Sequence, residues 1–342
     1  MRKKNGRKKQ LPLVSVCTPT FNRRPFIPAL MRSFARQDYP KDKLEWVIVD
    51  DGTDPIGDLV QDLPQVKYLR HESKLTLGRK RNLMHDACTG GIIVYMDDDD
   101  YYPPERVSHA VSMLLQHPRT MCAGSSEMHI YFGHIDAMYK FGPYGPRHAT
   151  AATFAFRREL LKECRYDDDA ALAEEKEFLK GYTVPLVQLE PRKTILVFSH
   201  AHNSFDKRKL LENPDPRFVK RSDRTVEDFV KDDDVRRFFT EDIDARLEAY
   251  APGLPSLKPD VTEQMERMAE AREAASRHPA AANEPPGRIT VRQEGKPPKE
   301  LNDDEVLELL QGQHKKIAEL SALLEDAYAE LETLREKGAK AV

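Results

Sequence analysis

Residues 90–104 read GGIIVYMDDDDYYPP. The apolar run Ile92 to Met96 has strand length, is rich in Ile and Val, and lies between glycine and aspartate. It predicts a buried β-strand that empties into four consecutive carboxylates, Asp97-Asp98-Asp99-Asp100. Upstream the pattern recurs: Leu13 to Cys17, Leu44 to Val49 and Val66 to Leu69 are short Val-, Ile- and Leu-rich runs, while Phe26 to Gln37, Gly57 to Leu63 and Arg79 to Ala87 between them can be helical. Strands alternating with helices imply an α/β fold with a mostly parallel sheet covered on both faces. Right-handed crossovers then gather the C-terminal strand ends on one edge, where such sheets bind ligands. The first strand runs into Pro19-Thr20-Phe21-Asn22-Arg23 and the second into Asp50-Asp51-Gly52, so polar and anionic groups converge there with the four aspartates.

Beyond Pro103, a helix over Glu105 to Gln116 is followed by mixed material: strands at Ser126 to Phe132, Ala152 to Phe156, Leu186 to Leu189 and Thr194 to Phe198, and a helix from Leu172 to Lys180. This completes one domain over residues 11–204. Residues 205–250 are charged and read as a helical extension; residues 251–300, rich in Pro, Ala and charge, read as a linker holding one helix between Val261 and Arg277. In residues 301–337, Val306, Leu310, Gln313, Ile317, Leu320, Leu324, Ala327, Leu331 and Leu334 alternate spacings of four and three. That is a coiled-coil seam and predicts a homo-oligomer.

The polar balance agrees with these accessories. Of 342 residues 39% are hydrophobic and 32% charged, so part of the chain lies outside any packed core. Lys+Arg 54 against Asp+Glu 57 gives a net charge of -3, which excludes a globally basic nucleic-acid binder. Residues 1–10 hold six basic side chains and read as a disordered tail, a candidate for weak contact with an anionic surface. Cys17, Cys88, Cys122 and Cys164 form no Cys-x-x-Cys pair and suggest neither a zinc ribbon nor a disulfide framework. No window reaches the roughly 18 apolar residues of a membrane span, and the basic N-terminus lacks a signal peptide's apolar stretch. A soluble, cytoplasmic protein, at most peripheral to a membrane, is expected.

Four adjacent carboxylates repel one another unless a cation or hydrogen-bond donors offset them. Oxygen ligands select a hard ion, Mg²⁺ or Mn²⁺, which binds a few carboxylates together with the substrate's phosphates. Gly78-Arg79-Lys80-Arg81-Asn82 opens a helix just before the acidic strand and offers cations and backbone N–H groups to phosphate. The pair suggests a diphosphate held between metal and arginines; neither a Walker A loop nor a spaced dinucleotide fingerprint is present. Asp167-Asp168-Asp169 reads as a solvated loop.

Val14 to Arg23, Val47 to Asp54, Gly78 to Asn82, Met96 to Asp100 and Glu174-Glu175 together resemble the ordered motifs of family 2 glycosyltransferases of the GT-A fold, across roughly residues 11–204. The resemblance implies that Pro19, Thr20, Phe21, Asn22 and Arg23, with Asp50 and Asp51, line the nucleobase pocket, and that Arg79 and Arg81 serve the nucleotide. It places the Asp-x-Asp element on Asp97 and Asp99, with Asp97 near the ribose and a further metal candidate, Asp98 on the nucleotide, and Asp99 on the metal. It makes Glu174-Glu175 the acidic pair, Glu175 as general base, and His200 or His202 a further metal ligand. The implied activity is inverting, metal-dependent transfer of a sugar from a nucleotide-diphosphate donor, UDP-linked in preference to GDP-linked, to a hydroxyl of a glycan, protein or small molecule. Charge neutralisation of the leaving group and a carboxylate at the acceptor hydroxyl are what that chemistry needs. Two other readings use the same features: metal-dependent nucleotidyl transfer, and a non-catalytic tether whose coiled coil and tail matter.

Overall fold

The computed structural model describes residues 11–172 and 175–277, with short stretches between 290 and 316. The seam residues of the coiled coil, the basic tail and Glu174 lie outside the described residues. The chain divides into a unit of Met1–Met268 and a unit of Ala269–Val342. In the second, Thr290–Val291 pairs antiparallel with Lys299–Glu300.

The first unit opens with strand-helix repeats: β1 Val14–Thr20, α1 Ile27–Ala35, β2 Leu44–Asp50, α2 Gly57–Val60, β3 Val66–Arg70, α3 Leu77–Ala87, β4 Ile92–Tyr95 and α4 Arg106–Gln116. The mixed half follows, with β5 Cys122–Gly124, β6 Met128–Phe132, β7 Ala137–Phe141, β8 Ala155–Arg157, α5 Glu175–Phe178, β9 Leu186–Gln188 and β10 Leu196–Ser199. The seven-stranded sheet has the order β3-β2-β1-β4-β8-β5-β9. Pairing is parallel from β3 to β4, and β8 runs antiparallel to both β4 and β5. This is the α/β architecture that the alternating runs predict.

Both sheet faces are covered, which is why β1 is buried at every residue. Val14 and Val16 pack into the cluster under α1 and α4; Cys17 joins the opposite cluster with Met84, Tyr95 and Phe178. Helix α4 shows the reason in miniature: Val107, Ala110, Val111 and Leu114 follow one helical face and are all buried. Trp46 of β2 stacks on Phe34 of α1, ring centroids 4.6 Å apart, and its indole N–H donates to Thr18 Oγ1 at 2.9 Å.

A second sheet, β10-β6-β7-β11, includes β11 at Val219–Arg221, so residues 205–250 are not purely a helical extension. They supply that edge strand, then α6 Val226–Phe229, α7 Asp233–Arg237 and α8 Ile243–Glu248. Their apolar residues Phe229, Val235, Phe239 and Leu247 share a core with Phe26, Tyr101 and Phe198, which explains why so charged a segment folds onto the domain. The helix expected at Val261 to Arg277 is α9, Pro259–Arg277. The start of the supposed linker, however, is packed: Gly253, Lys258 and Val261 are buried, their neighbours bonded to the end of β1.

Candidate active site

Chain order 3-2-1-4 sends the connection out of β1 to one side of the sheet and returns it for β4 on the other. The crevice at the C-terminal ends of these two strands is therefore the expected ligand site. There, a cavity of about 160 Å³ is lined by Pro19, Phe21 and Arg23 from the end of β1, Lys80 and Arg81 from α3, and Asp97, Asp98 and Asp99 from the end of β4.

The four aspartates separate by alternation. Asp97 and Asp99 are half-buried; Asp98 and Asp100 are buried. Asp100 turns inward and accepts the Phe198 N–H at 3.3 Å; burial and the neighbouring Asp99 charge push its carboxyl well above the usual range. Asp98 lies 3.6 Å from Arg23 Nε, yet burial, outweighing that arginine, raises its carboxyl to about 7. Asp99 behaves oppositely: against burial, which alone would raise it, the His200 hydrogen bond and the Arg23 charge hold it well below the usual range. Asp97 lies 4.0 Å from Arg81 Nη2, and its backbone N–H donates to the Tyr102 hydroxyl at 2.6 Å.

His200 arrives through the second sheet. Tyr101, next to the acidic run, exchanges backbone hydrogen bonds with Leu196 of β10, each 3.0 Å, so the residues after β10 fall beside Asp99. His200 Nε2 lies 3.2 Å from Asp99 Oδ2, and the ring, pushed down to about 4 by burial, is neutral near pH 7. His202 does not reach Asp99: its carbonyl accepts Arg23 Nη2 at 2.7 Å. Both histidines line a second cavity with Leu247 and Ala251, and His200 meets the first site only through Asp99. Among the described residues no cluster of three or more His, Cys, Asp or Glu could hold a metal by itself. The fit for a hard ion is Asp99, an ionised oxygen donor with His200 at its side, leaving further positions to diphosphate oxygens and water.

The remaining candidates divide. Asp50 accepts from Gly52 N at 2.9 Å, Ile56 N at 2.9 Å and Tyr68 OH at 2.6 Å; it builds the turn after β2 and does not line the cavity. Asp51 receives Lys80 Nζ at 2.9 Å and Leu75 N at 2.5 Å, holding two stretches of the cavity wall. Thr20 offers its carbonyl, 3.5 Å from Lys80 Nζ. Asn22, in the left-handed region at φ 53°, donates to the Pro252 carbonyl at 2.7 Å. Arg81 is buried with its guanidinium 4.3 Å from the Tyr95 ring centroid, whereas Arg79 faces outward to Asp168 at 2.5 Å. Asp168 also accepts Asn82 Nδ2 at 2.6 Å, so the acidic loop is docked on α3. Gly78 allows this: a Cβ there would meet the Asp167 carbonyl oxygen at 2.0 Å.

Helix α5 is shorter than the expected Leu172 to Lys180. Phe178 and Leu179 anchor it, Phe178 stacking on Tyr166 at 4.3 Å between centroids. Glu175 opens α5 and is half-buried. After burial, its charge is the further cause that raises the Tyr182 phenol. Glu175 is not among the residues lining the cavity, whose wall reaches Ala171 and Leu172 in the same segment. Residues outside the sequence expectation also line it: Lys74, Ser204, Lys258 and Asp260. Nothing marks Lys258 in advance, because it sits in a proline-rich stretch with no motif around it.

Residues 15–165 match the sequence model of the family described as Glycosyl transferase family 2. The chain is 32% identical over 108 residues to a poly(ribitol-phosphate) beta-N-acetylglucosaminyltransferase, TarS, of Staphylococcus aureus, covering 30% of this chain and 19% of that protein. It is 34% identical over 113 residues to the GalNAc(5)-diNAcBac-PP-undecaprenol beta-1,3-glucosyltransferase of Campylobacter jejuni, covering 31% of this chain and 34% of the relative. The chain thus spans a minor part of either relative. Among solved structures, a mannosyltransferase from Pyrobaculum calidifontis in complex with GDP-Man and Mn²⁺ aligns over 81% of this chain and 82% of its own, with 17% identity and a TM-score of 0.45. No described helix is long and apolar enough to cross a membrane.

Proposed function

From the match of residues 15–165 to the model of glycosyl transferase family 2, we propose that the chain is an inverting glycosyltransferase that moves a sugar from a nucleotide-diphosphate donor, UDP-linked by preference, to a hydroxyl acceptor. What supports this reading is the convergence of Phe21, Arg81, Lys80 and Asp97 to Asp99 on one cavity at the β1/β4 crevice. An aromatic wall suits a nucleobase, buried cations suit phosphates, and ionised Asp99 suits the cation that accompanies them.

In this account Pro19 and Phe21 receive the base, Asp97 the ribose, and Arg81 with Lys80 the diphosphate. Mn²⁺ or Mg²⁺ held at Asp99, with His200 alongside, would supply charge neutralisation of the leaving diphosphate. Glu175 takes the proton of the acceptor hydroxyl as it attacks, from a short helix fixed to the core by Phe178 and Leu179. The heptad residues Val306 to Leu334 are proposed to join copies of the chain, with light scattering expected to report more than one chain per particle. The activity is tested by incubating the protein with nucleotide sugars and a divalent ion and measuring the nucleoside diphosphate released.

A further inference from the structure

The segment after Tyr250 is built into the crevice. Asn22 Nδ2 donates to the Pro252 carbonyl at 2.7 Å and Arg23 Nη1 to the Gly253 carbonyl at 3.4 Å, so the end of β1 holds the strap directly. Gly253 permits the approach: a Cβ there would lie 2.5 Å from His202 Nδ1 and 3.1 Å from the Asn22 carbonyl oxygen. Beyond it Lys258, Asp260 and Val261 line the same cavity as Asp97, Asp98 and Asp99. Asp260 pairs with Lys74. One turn into α9, Gln264 Oε1 accepts Ala171 N at 2.7 Å and Leu172 N at 3.1 Å while its Nε2 donates to the Leu172 carbonyl at 2.7 Å.

Lys258 is the anomaly in this wall. It is only 8% exposed. Each other cation lining the cavity faces a carboxylate within 4.0 Å: Arg23 meets Asp98, Lys74 meets Asp260, Lys80 meets Asp51 and Arg81 meets Asp97. Lys258 instead donates to a neutral hydroxyl, Ser204 Oγ, at 2.7 Å, with its Nζ 6.0 Å from the Phe21 ring centroid. Burial and the Arg23 charge, outweighing those of Asp98 and Asp99, push this ammonium down to about 7, so an anion entering the cavity would favour its charged form. The cavity it faces is the one assigned to the donor, between the ring that would carry the base and the aspartate that would carry the metal.

We infer that Lys258 binds the diphosphate of the nucleotide-sugar donor, and that residues 251–264 are a working wall of the donor site rather than a linker. This rests on the donor-site reading above. Such a contact, an ammonium on phosphate oxygens, is a charge-assisted hydrogen bond and should be felt in affinity for UDP and not for uridine.

The test is calorimetric titration of the full chain, in Mg²⁺, with UDP, GDP and uridine, for wild type, Lys258→Met and Lys258→Arg. Lys258→Met should weaken the better-bound diphosphate by about 10- to 100-fold and leave uridine binding unchanged, and Lys258→Arg should recover part of the loss. Thermal melting without ligand should change little in Lys258→Met, because the ammonium that burial already pushes down to about 7 gives way to a methionine side chain, whereas the upward shift given by the diphosphate should shrink. Wild-type affinity for the diphosphate in Lys258→Met overturns the assignment and leaves the donor site standing. Equal weakening of uridine and UDP, in Lys258→Met or, should that chain not fold, in Lys258→Arg, assigns Lys258 to structure and overturns it too. A wild-type chain that binds neither diphosphate overturns the donor-site reading itself, and this inference with it.

Discussion

Asp99 Oδ2 lies 3.2 Å from His200 Nε2, although the two residues follow strands of different sheets and stand 101 positions apart. The Tyr101–Leu196 bridge creates the meeting, and the His200 hydrogen bond, against burial, holds Asp99 well below the usual carboxylate range. Asp99→Asn keeps the shape and removes the charge. Metal-dependent turnover should fall by roughly 10²- to 10⁴-fold, as for other charge-stabilised transition states. Steady-state assays across a Mn²⁺ titration check this, and turnover close to wild type at saturating Mn²⁺ would refute the ligand assignment.

Adjacent aspartates after β2 should give opposite phenotypes. Asp50 satisfies three buried or half-buried donors, so Asp50→Ala should cost about 2–4 kcal/mol of folding stability by urea denaturation. Asp51→Asn strips Lys80 of its carboxylate and should instead change nucleotide affinity, with a smaller effect on stability. A reversed pattern in the paired measurements would contradict the division of labour.

The buried ring of His85 gives a pH dependence. Burial, aided by the Arg81 and Arg165 charges, lowers its pKa to about 3, and Nε2 lies 2.7 Å from the Tyr95 hydroxyl. The unfolded chain takes up the proton near the ordinary value of about 6.5 while the folded chain does not. Its contribution is therefore complete above that value and declines as pH falls toward 3, by at most about 1.4 kcal/mol per pH unit. Denaturation midpoints at pH 7, 6 and 5 should fall less steeply in His85→Gln than in wild type. An NMR titration placing His85 near 6.5 in the native protein would contradict this.

Much of this was legible in the sequence, and the exceptions have physical causes. Apolar runs between helical stretches mark β1, β2 and β4 because strands buried on both faces are mostly apolar, while the half-buried edge strand β3 carries a weaker run with Lys67 and Arg70. The interior strand β5 and the edge strand β11 carry no such signal: Cys122–Gly124 is three residues long, and Val219–Arg221 shows two charged side chains to solvent. Among site residues, the motif positions Phe21, Arg81, Asp97 and Asp99 reach the cavity, whereas Asp50 is consumed by its turn. His200 was separable from His202 only by the docking of β10, a long-range contact. Lys258 entered the site because the chain folds back over β1, which no local pattern encodes.

Glu175 and Glu174 compete for the role of base. Glu175→Gln should preserve folding and nucleoside diphosphate binding while lowering turnover by about 10²- to 10⁴-fold, with Glu174→Gln affected far less. Near-normal turnover in Glu175→Gln with collapse in Glu174→Gln would move the base by one residue. Near-normal turnover in both would remove α5 from the chemistry.

Cleavage of a nucleotide sugar between its sugar and its diphosphate in this crevice is checked by incubating the full chain with a panel of UDP- and GDP-sugars and Mn²⁺ and identifying the phosphorylated product. Slow, EDTA-sensitive release of the nucleoside diphosphate, UDP before GDP, is expected from at least one donor, and its loss in Asp99→Asn. Release of pyrophosphate would instead mark a nucleotidyltransferase, and tight nucleotide binding with no turnover of any donor would mark a scaffold; either result contradicts the account.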